Sequence, residues 1–145
     1  MVTQDDDIEV YEQLLRRIPN NPSFIDLTLR DPVQRAAFRP TNEDVDGISV
    51  YREMFISAEE IILVGTSRYG YFVARLPVEE ILEEGLTIIP DPQTGGLPGH
   101  SLIPDIKIQD YDSPKGKFAS RAKQAKLARI INRDYKTRIV LFPDS

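Results

Sequence analysis

Residues 71–85 read Tyr71-Phe72-Val73-Ala74-Arg75-Leu76-Pro77-Val78-Glu79-Glu80-Ile81-Leu82-Glu83-Glu84-Gly85, and this stretch decides the fold class. Phe72, Ala74 and Leu76 alternate with Tyr71, Val73 and Arg75, the two-residue period of a strand. Pro77 then pre-sets a first helical turn, Glu79 and Glu80 stand where a helix start favours negative charge, and Gly85 is placed to end the helix. A strand running straight into a short helix implies a mixed chain.

The same alternation extends outward in both directions. Ile48 to Tyr51 reads as a strand, and Ser57-Ala58-Glu59-Glu60 is a capping box that starts a helix at Ala58. Downstream, Thr87-Ile88-Ile89 is a short buried-strand candidate, and the glycine- and proline-rich stretch from Asp91 to His100 is a loop. Ser101 to Ile108 alternates but is broken at Pro104, which confines that strand to an edge or a break. Phe118 to Tyr135 is the longest predicted helix, and Arg138 to Phe142 a closing strand. Near the start, Ile8, Tyr11, Leu15 and Ile18 follow helical 3-4-3 spacing, and Asp31-Pro32-Val33-Gln34 carries a helix-start signal for a short helix through Ala37. The expectation is therefore α+β: one compact domain over residues 1–145, with short, mostly antiparallel strands and several short helices. A long basic C-terminal helix precedes the closing strand, and residues 1–22 form an N-terminal helical extension.

The 145 residues suffice for one domain, and the absence of cysteine removes disulfides, thiol catalysis and cysteine zinc sites. A single histidine leaves no multi-histidine metal site within one chain. Met1 to Val10 carries no basic residue, so the chain reads as lacking a signal peptide, and the run Ile61 to Val64 is far too short to span a membrane. These readings point to a cytoplasmic protein. Charge is the unusual feature. Pro114 to Ser145 holds nine basic and two acidic residues, while the preceding 113 hold nine basic and twenty-one acidic. A +7 tail thus follows a −12 body, which suggests an anionic partner for the tail or a pairing of the two parts.

Within the tail, Lys123, Lys126, Arg129, Arg133 and Lys136 fall within an arc of about 140° at helical spacing. Leu127, Ala128, Ile131 and Tyr135 gather on the other side. That cationic face could receive an acidic protein partner, a phosphate backbone, or the protein's own acidic body.

Two further constellations bear on chemistry. Asn42, Asp44, Asp46, Gly47 and Glu53 occupy positions one, three, five, six and twelve of a calcium-loop pattern. Asn at the first position, Ser49 at the eighth and Pro40 in the entering helix all favour an acidic turn before a strand instead, so no metal or other cofactor is expected. His100, the lone histidine, sits after a glycine-proline loop at a strand entrance, a fair place for a general acid or base. Its neighbour Ser101 points to the opposite face, so a partner must come from elsewhere: Arg52, Glu53, Ser67, Arg68 and Asp91 are the candidates. Gly65-Thr66-Ser67-Arg68-Tyr69-Gly70 lacks the lysine of a phosphate loop and reads as a turn.

The chain also resembles a family of small bacterial hypothetical proteins. Phe38-Arg39-Pro40-Thr41, Asp46-Gly47-Ile48-Ser49-Val50-Tyr51 and Ser57-Ala58-Glu59 carry the likeness. It continues through Ala74, Gly85-Leu86, Asp91-Pro92, Gly99-His100 and Ile103. The resemblance implies a bacterial cytosolic origin. The leading functional expectation is an accessory protein that acts on an acidic protein partner through its charge-asymmetric surface. One alternative is nucleic-acid binding by the C-terminal helix. The other is a small ADP-ribosyltransferase-like or hydrolytic enzyme centred on His100, with Arg52 or Arg68 as an anion clamp.

Overall fold

The computed structural model describes residues 2–144, and a single antiparallel sheet organises them. Its strands are β1 (Gln13–Pro19), β2 (Ile48–Arg52), β3 (Tyr71–Pro77), β4 (Ile89–Pro90), β5 (His100–Ile103) and β6 (Ile139–Leu141), in the spatial order β4-β5-β2-β1-β3-β6. The helices are α1 (Ala58–Ile62), α2 (Val78–Glu83), α3 (Pro114–Asn132) and α4 (Tyr135–Arg138). The predicted α+β class holds, with the long C-terminal helix and the strand after it.

One face of the sheet packs on α3. Leu14 and Ile18 of β1, Ile48 and Val50 of β2, Phe72, Ala74 and Leu76 of β3 and Ile103 of β5 form one cluster with Leu127, Ala128, Ile130 and Ile131 of α3. The opposite face is covered over only part of its width. There Leu15 of β1 and Val73 of β3 pack with Ile56, Ala58 and Ile61. The capping box fixes α1 in place, with Ser57 Oγ accepting from the Glu60 N–H and the Glu60 carboxylate accepting from the Ser57 N–H. Over β2 and β5 that second face lines a groove, with Ser49 and Tyr51 half-buried and His100 and Leu102 buried.

The first predicted helix is a strand. Glu9 to Glu12 make one turn closed by the Glu12 N–H, and β1 follows as a central strand with β2 on one side and β3 on the other. Residues Gln13–Pro19, read as part of an N-terminal helical extension, thus lie inside the sheet. The helical reading failed because β1 is buried on both faces: Leu14 and Ile18 face α3 while Leu15 faces α1, so the two-residue alternation disappears from the sequence. Tyr11, placed on the apolar stripe by that reading, is exposed.

Smaller corrections follow the same logic. The helix expected from Asp31 is a 3-10 turn, Arg35–Phe38, beginning after Gln34 rather than on an Asp31 cap. The buried strand expected at Thr87 to Ile89 is the two-residue edge strand β4, with Ile89 exposed, because Thr87 is turned aside to donate twice to the Asp105 carboxylate. The C-terminal helix starts four residues early, at Pro114, because the Ser113 hydroxyl accepts from the Gly116 N–H and caps it.

Candidate active site

β2 and β5 pair with Tyr51 opposite His100 and Ser49 opposite Leu102. Side chains two apart share a face, so Ser49, Tyr51 and His100 all project onto the face of the sheet away from α3, with Ser49 diagonal to His100. The Ser49 hydroxyl lies 2.8 Å from His100 Nε2. At the other end of the ring, Nδ1 lies 2.9 Å from the Asp91 backbone carbonyl and 3.0 Å from its carboxylate.

The partners of Nδ1 fix the tautomer. A carbonyl oxygen only accepts, so Nδ1 carries the proton and donates it to Asp91. In the neutral ring Nε2 is then an acceptor, and the Ser49 O–H donates to it. Hydroxyl, imidazole and carboxylate thus stand in the order used for nucleophilic catalysis by serine. Gln93 donates to the Asp91 carboxylate at 3.1 Å and orients it, and the Tyr51 ring lies 5.4 Å from the imidazole, centroid to centroid. His100 is only 8% exposed, so its polar contacts are shielded on one side while Ser49 remains accessible.

The hairpin that carries Asp91 and His100 is held from behind. Asp91 N–H donates to the His100 carbonyl, Gly99 N–H to the Gln4 side chain, and Arg52 N–H to the Gly99 carbonyl. Gly99 has φ of +74°, and a Cβ there would stand 2.9 Å from the Arg52 carbonyl oxygen, so both conformation and space demand glycine.

Ser49, Tyr51 and His100 line a groove of about 830 Å³. It opens where β1 and β2 part company, since their register covers only Leu14 with Arg52 and Leu15 with Tyr51. Arg16 closes the base of that gap, donating to the Ser49 carbonyl at 2.8 Å and to the Ala37 carbonyl at 2.9 Å. Burial holds the Arg16 guanidinium below its ordinary value, with the Asp44 carboxylate acting in the opposite sense. Arg16 and Arg17 line the groove from β1, and Glu43, Asp44 and Asp46 line it from the turn before β2.

Of the partners expected for His100, the structure brings up Asp91. Arg52 is no anion clamp: it is fully buried and both oxygens of Glu12 accept from it at 2.7 Å. Glu53 pairs with Arg75, and Arg68 lies over the Tyr69 ring beside a different depression. Ser67 gives its N–H to the Tyr71 hydroxyl. Ser101 faces away, its hydroxyl donating to the Gly99 carbonyl.

The calcium-loop residues do not converge. Asp44 accepts from the Thr41 N–H and hydroxyl, Glu53 is committed to Arg75, and among the described residues no group of three acidic or histidine side chains could hold a metal ion. Asn42 to Gly47 is a turn that delivers the chain to β2.

The cationic face of α3 is largely turned on the protein itself. Arg133 donates to Glu80 and Glu84, both at 2.7 Å, while Lys126 donates to the Glu84 carbonyl and Lys123 to that of Asp105. Arg138 adds a further pair with Glu80. Of the five cations only Arg133 is in an ion pair; among the described residues, Arg129 and Lys136 have neither an ion-pair nor a side-chain hydrogen-bond partner.

Ser49 was missed from the sequence because nothing local marks a mid-strand serine as a nucleophile. The only usable signal was cross-strand register, which requires the β2–β5 pairing to be known. Comparison of the chain with protein-family models, curated proteins and solved structures gives no match.

Proposed function

We propose that the protein is a small hydrolase of esters or amides, with Ser49 as nucleophile, His100 as general acid–base and Asp91 as the group that holds the imidazole. The observation that carries the reading is the run of contacts from Ser49 Oγ through both ring nitrogens of His100 to Asp91. Ser49 Oγ attacks the substrate carbonyl carbon while its proton passes to Nε2. The tetrahedral adduct then breaks its bond to the leaving group, which departs with that proton. Water attacks the acyl–Ser49 ester, giving a proton to Nε2, and Ser49 Oγ regains a proton from Nε2 as the acid leaves.

The test is covalent labelling. Incubation with a fluorophosphonate and mass spectrometry of the resulting peptides is expected to find the adduct on Ser49. His100→Ala should slow its formation by about 10²- to 10⁴-fold. A protein that is unlabelled at Ser49, or labelled equally fast without His100, is not this enzyme.

A further inference from the structure

Arg17 is a cationic groove residue with donors left over. It follows Leu15 by two positions on β1, so it lies on the same face as Leu15, Tyr51 and Ser49. β1 and β2 diverge beyond the Leu15–Tyr51 pair, and Arg17 on β1 and Ser49 on β2 line the groove that opens between them.

Its guanidinium is positioned in advance. Nη1 donates to the Ile61 carbonyl at 3.0 Å, and the guanidinium carbon stands 4.9 Å from the centre of the Tyr71 ring. That ring is itself fixed, since its hydroxyl oxygen accepts from the N–H groups of Thr66 and Ser67 at 2.7 and 2.8 Å. Among the described residues no carboxylate pairs with Arg17, and Nε and Nη2 have no hydrogen-bond partner. Those two nitrogens form the edge of a guanidinium that matches the two oxygens of a carboxylate. A half-buried, stacked arginine without a counter-ion is an anion site in waiting. The acidic wall from Glu43 to Asp46 selects among anions: it repels a dianionic phosphate more than a singly charged carboxylate.

We propose that the groove binds acyl compounds bearing a free carboxylate, which docks on Arg17. The assignment rests on the hydrolase reading for its orientation, with the scissile carbonyl at Ser49, but the carboxylate site is measurable without turnover.

Two experiments separate the claims. The first compares mono-p-nitrophenyl glutarate with p-nitrophenyl pentanoate, a chain of equal length without the carboxylate. The wild-type protein is expected to favour the glutarate in kcat/KM by about 10- to 100-fold, the size of a charge-assisted hydrogen-bonded pair. Arg17→Gln should collapse that ratio towards one and Arg17→Lys restore part of it, whereas a ratio near one in the wild type, or one unchanged in Arg17→Gln, overturns the carboxylate site. The second is an NMR titration of the Ser49→Ala protein with monomethyl glutarate, which carries one carboxylate, and, separately, with inorganic phosphate, followed at the Arg17 Nε–H. A saturable shift with the monoester, absent from Arg17→Gln, supports the site even if no ester is turned over, in which case the hydrolase reading alone falls. No shift with the monoester, or tighter binding of phosphate, overturns it.

Discussion

Arg52 and Glu12 form a two-pronged ion pair, both contacts at 2.7 Å, with neither side chain more than 3% exposed. The pair joins the segment before β1 to the end of β2. Arg52 spends a further donor on the Asp6 carbonyl at 3.0 Å, and its N–H holds the glycine that precedes His100. Removing one partner leaves the other charge buried and uncompensated. Glu12→Ala should therefore cost about 3–5 kcal/mol in urea unfolding, far more than loss of a surface pair. A cost below about 1 kcal/mol would show that water reaches Arg52 readily.

Acid sensitivity follows from Glu12 and Glu80. Burial works to raise the Glu12 carboxyl, but the Arg52 hydrogen bond, the Glu9 N–H and the Arg52 charge together leave it below its ordinary value. Glu80 is lowered chiefly by its hydrogen bond from Arg138, with burial opposing and Arg133 assisting. Both folded values lie below the unfolded ones, so their contribution is complete above the unfolded carboxylate range and is lost as pH falls through the folded values. The urea midpoint should drop on going from about pH 5 to pH 3. Glu80→Gln should flatten that dependence, and an unchanged slope would refute the assignment.

The Glu80–Arg133–Glu84 arrangement limits what α3 can offer to nucleic acid. Lys123 and Lys126 are each tied to a backbone carbonyl and Arg133 to two carboxylates. With those contacts kept, only Arg129 and Lys136 of that face turn to a phosphate backbone, and oligonucleotide binding should have a salt slope of no more than about 2 in log–log form. Fluorescence anisotropy across a salt series measures it. A slope of about 5 would mean that the internal pairs open to receive phosphates.

Asp91 holds His100 through two acceptors, a carboxylate oxygen and its own backbone carbonyl. Deleting the carboxylate therefore leaves the tautomer supported. Asp91→Asn should slow Ser49 labelling by about 10- to 100-fold, less than the loss of about 10⁴ typical where a carboxylate acts alone. Equal losses for Asp91→Asn and His100→Ala would place the whole orienting role on the carboxylate.

Gly99 joins the Arg52 backbone to the hairpin that carries His100. At φ of +74° and with a Cβ position 2.9 Å from the Arg52 carbonyl, Gly99→Ala should destabilise the fold by about 1–3 kcal/mol. The same substitution should displace His100 and slow Ser49 labelling, read by the two assays side by side. Undiminished stability would mean that the hairpin has room to shift.

By itself the sequence determined the elements whose causes are local. The Ser57 capping box, the Pro77–Gly85 helix, the alternation of β3 and the amphipathic α3 each depend on residues within one or two turns of one another. It also determined the charge asymmetry. Tertiary structure decided the rest, because the deciding interactions cross the chain. β1 is a strand because two layers bury Leu14 and Leu15 on opposite sides, whatever their helical spacing. The basic face of α3 is partly neutralised because α2 lies beside it with Glu80 and Glu84. Ser49 and His100, 51 residues apart, meet because antiparallel register sets them diagonally on one face, and no linear pattern encodes that register.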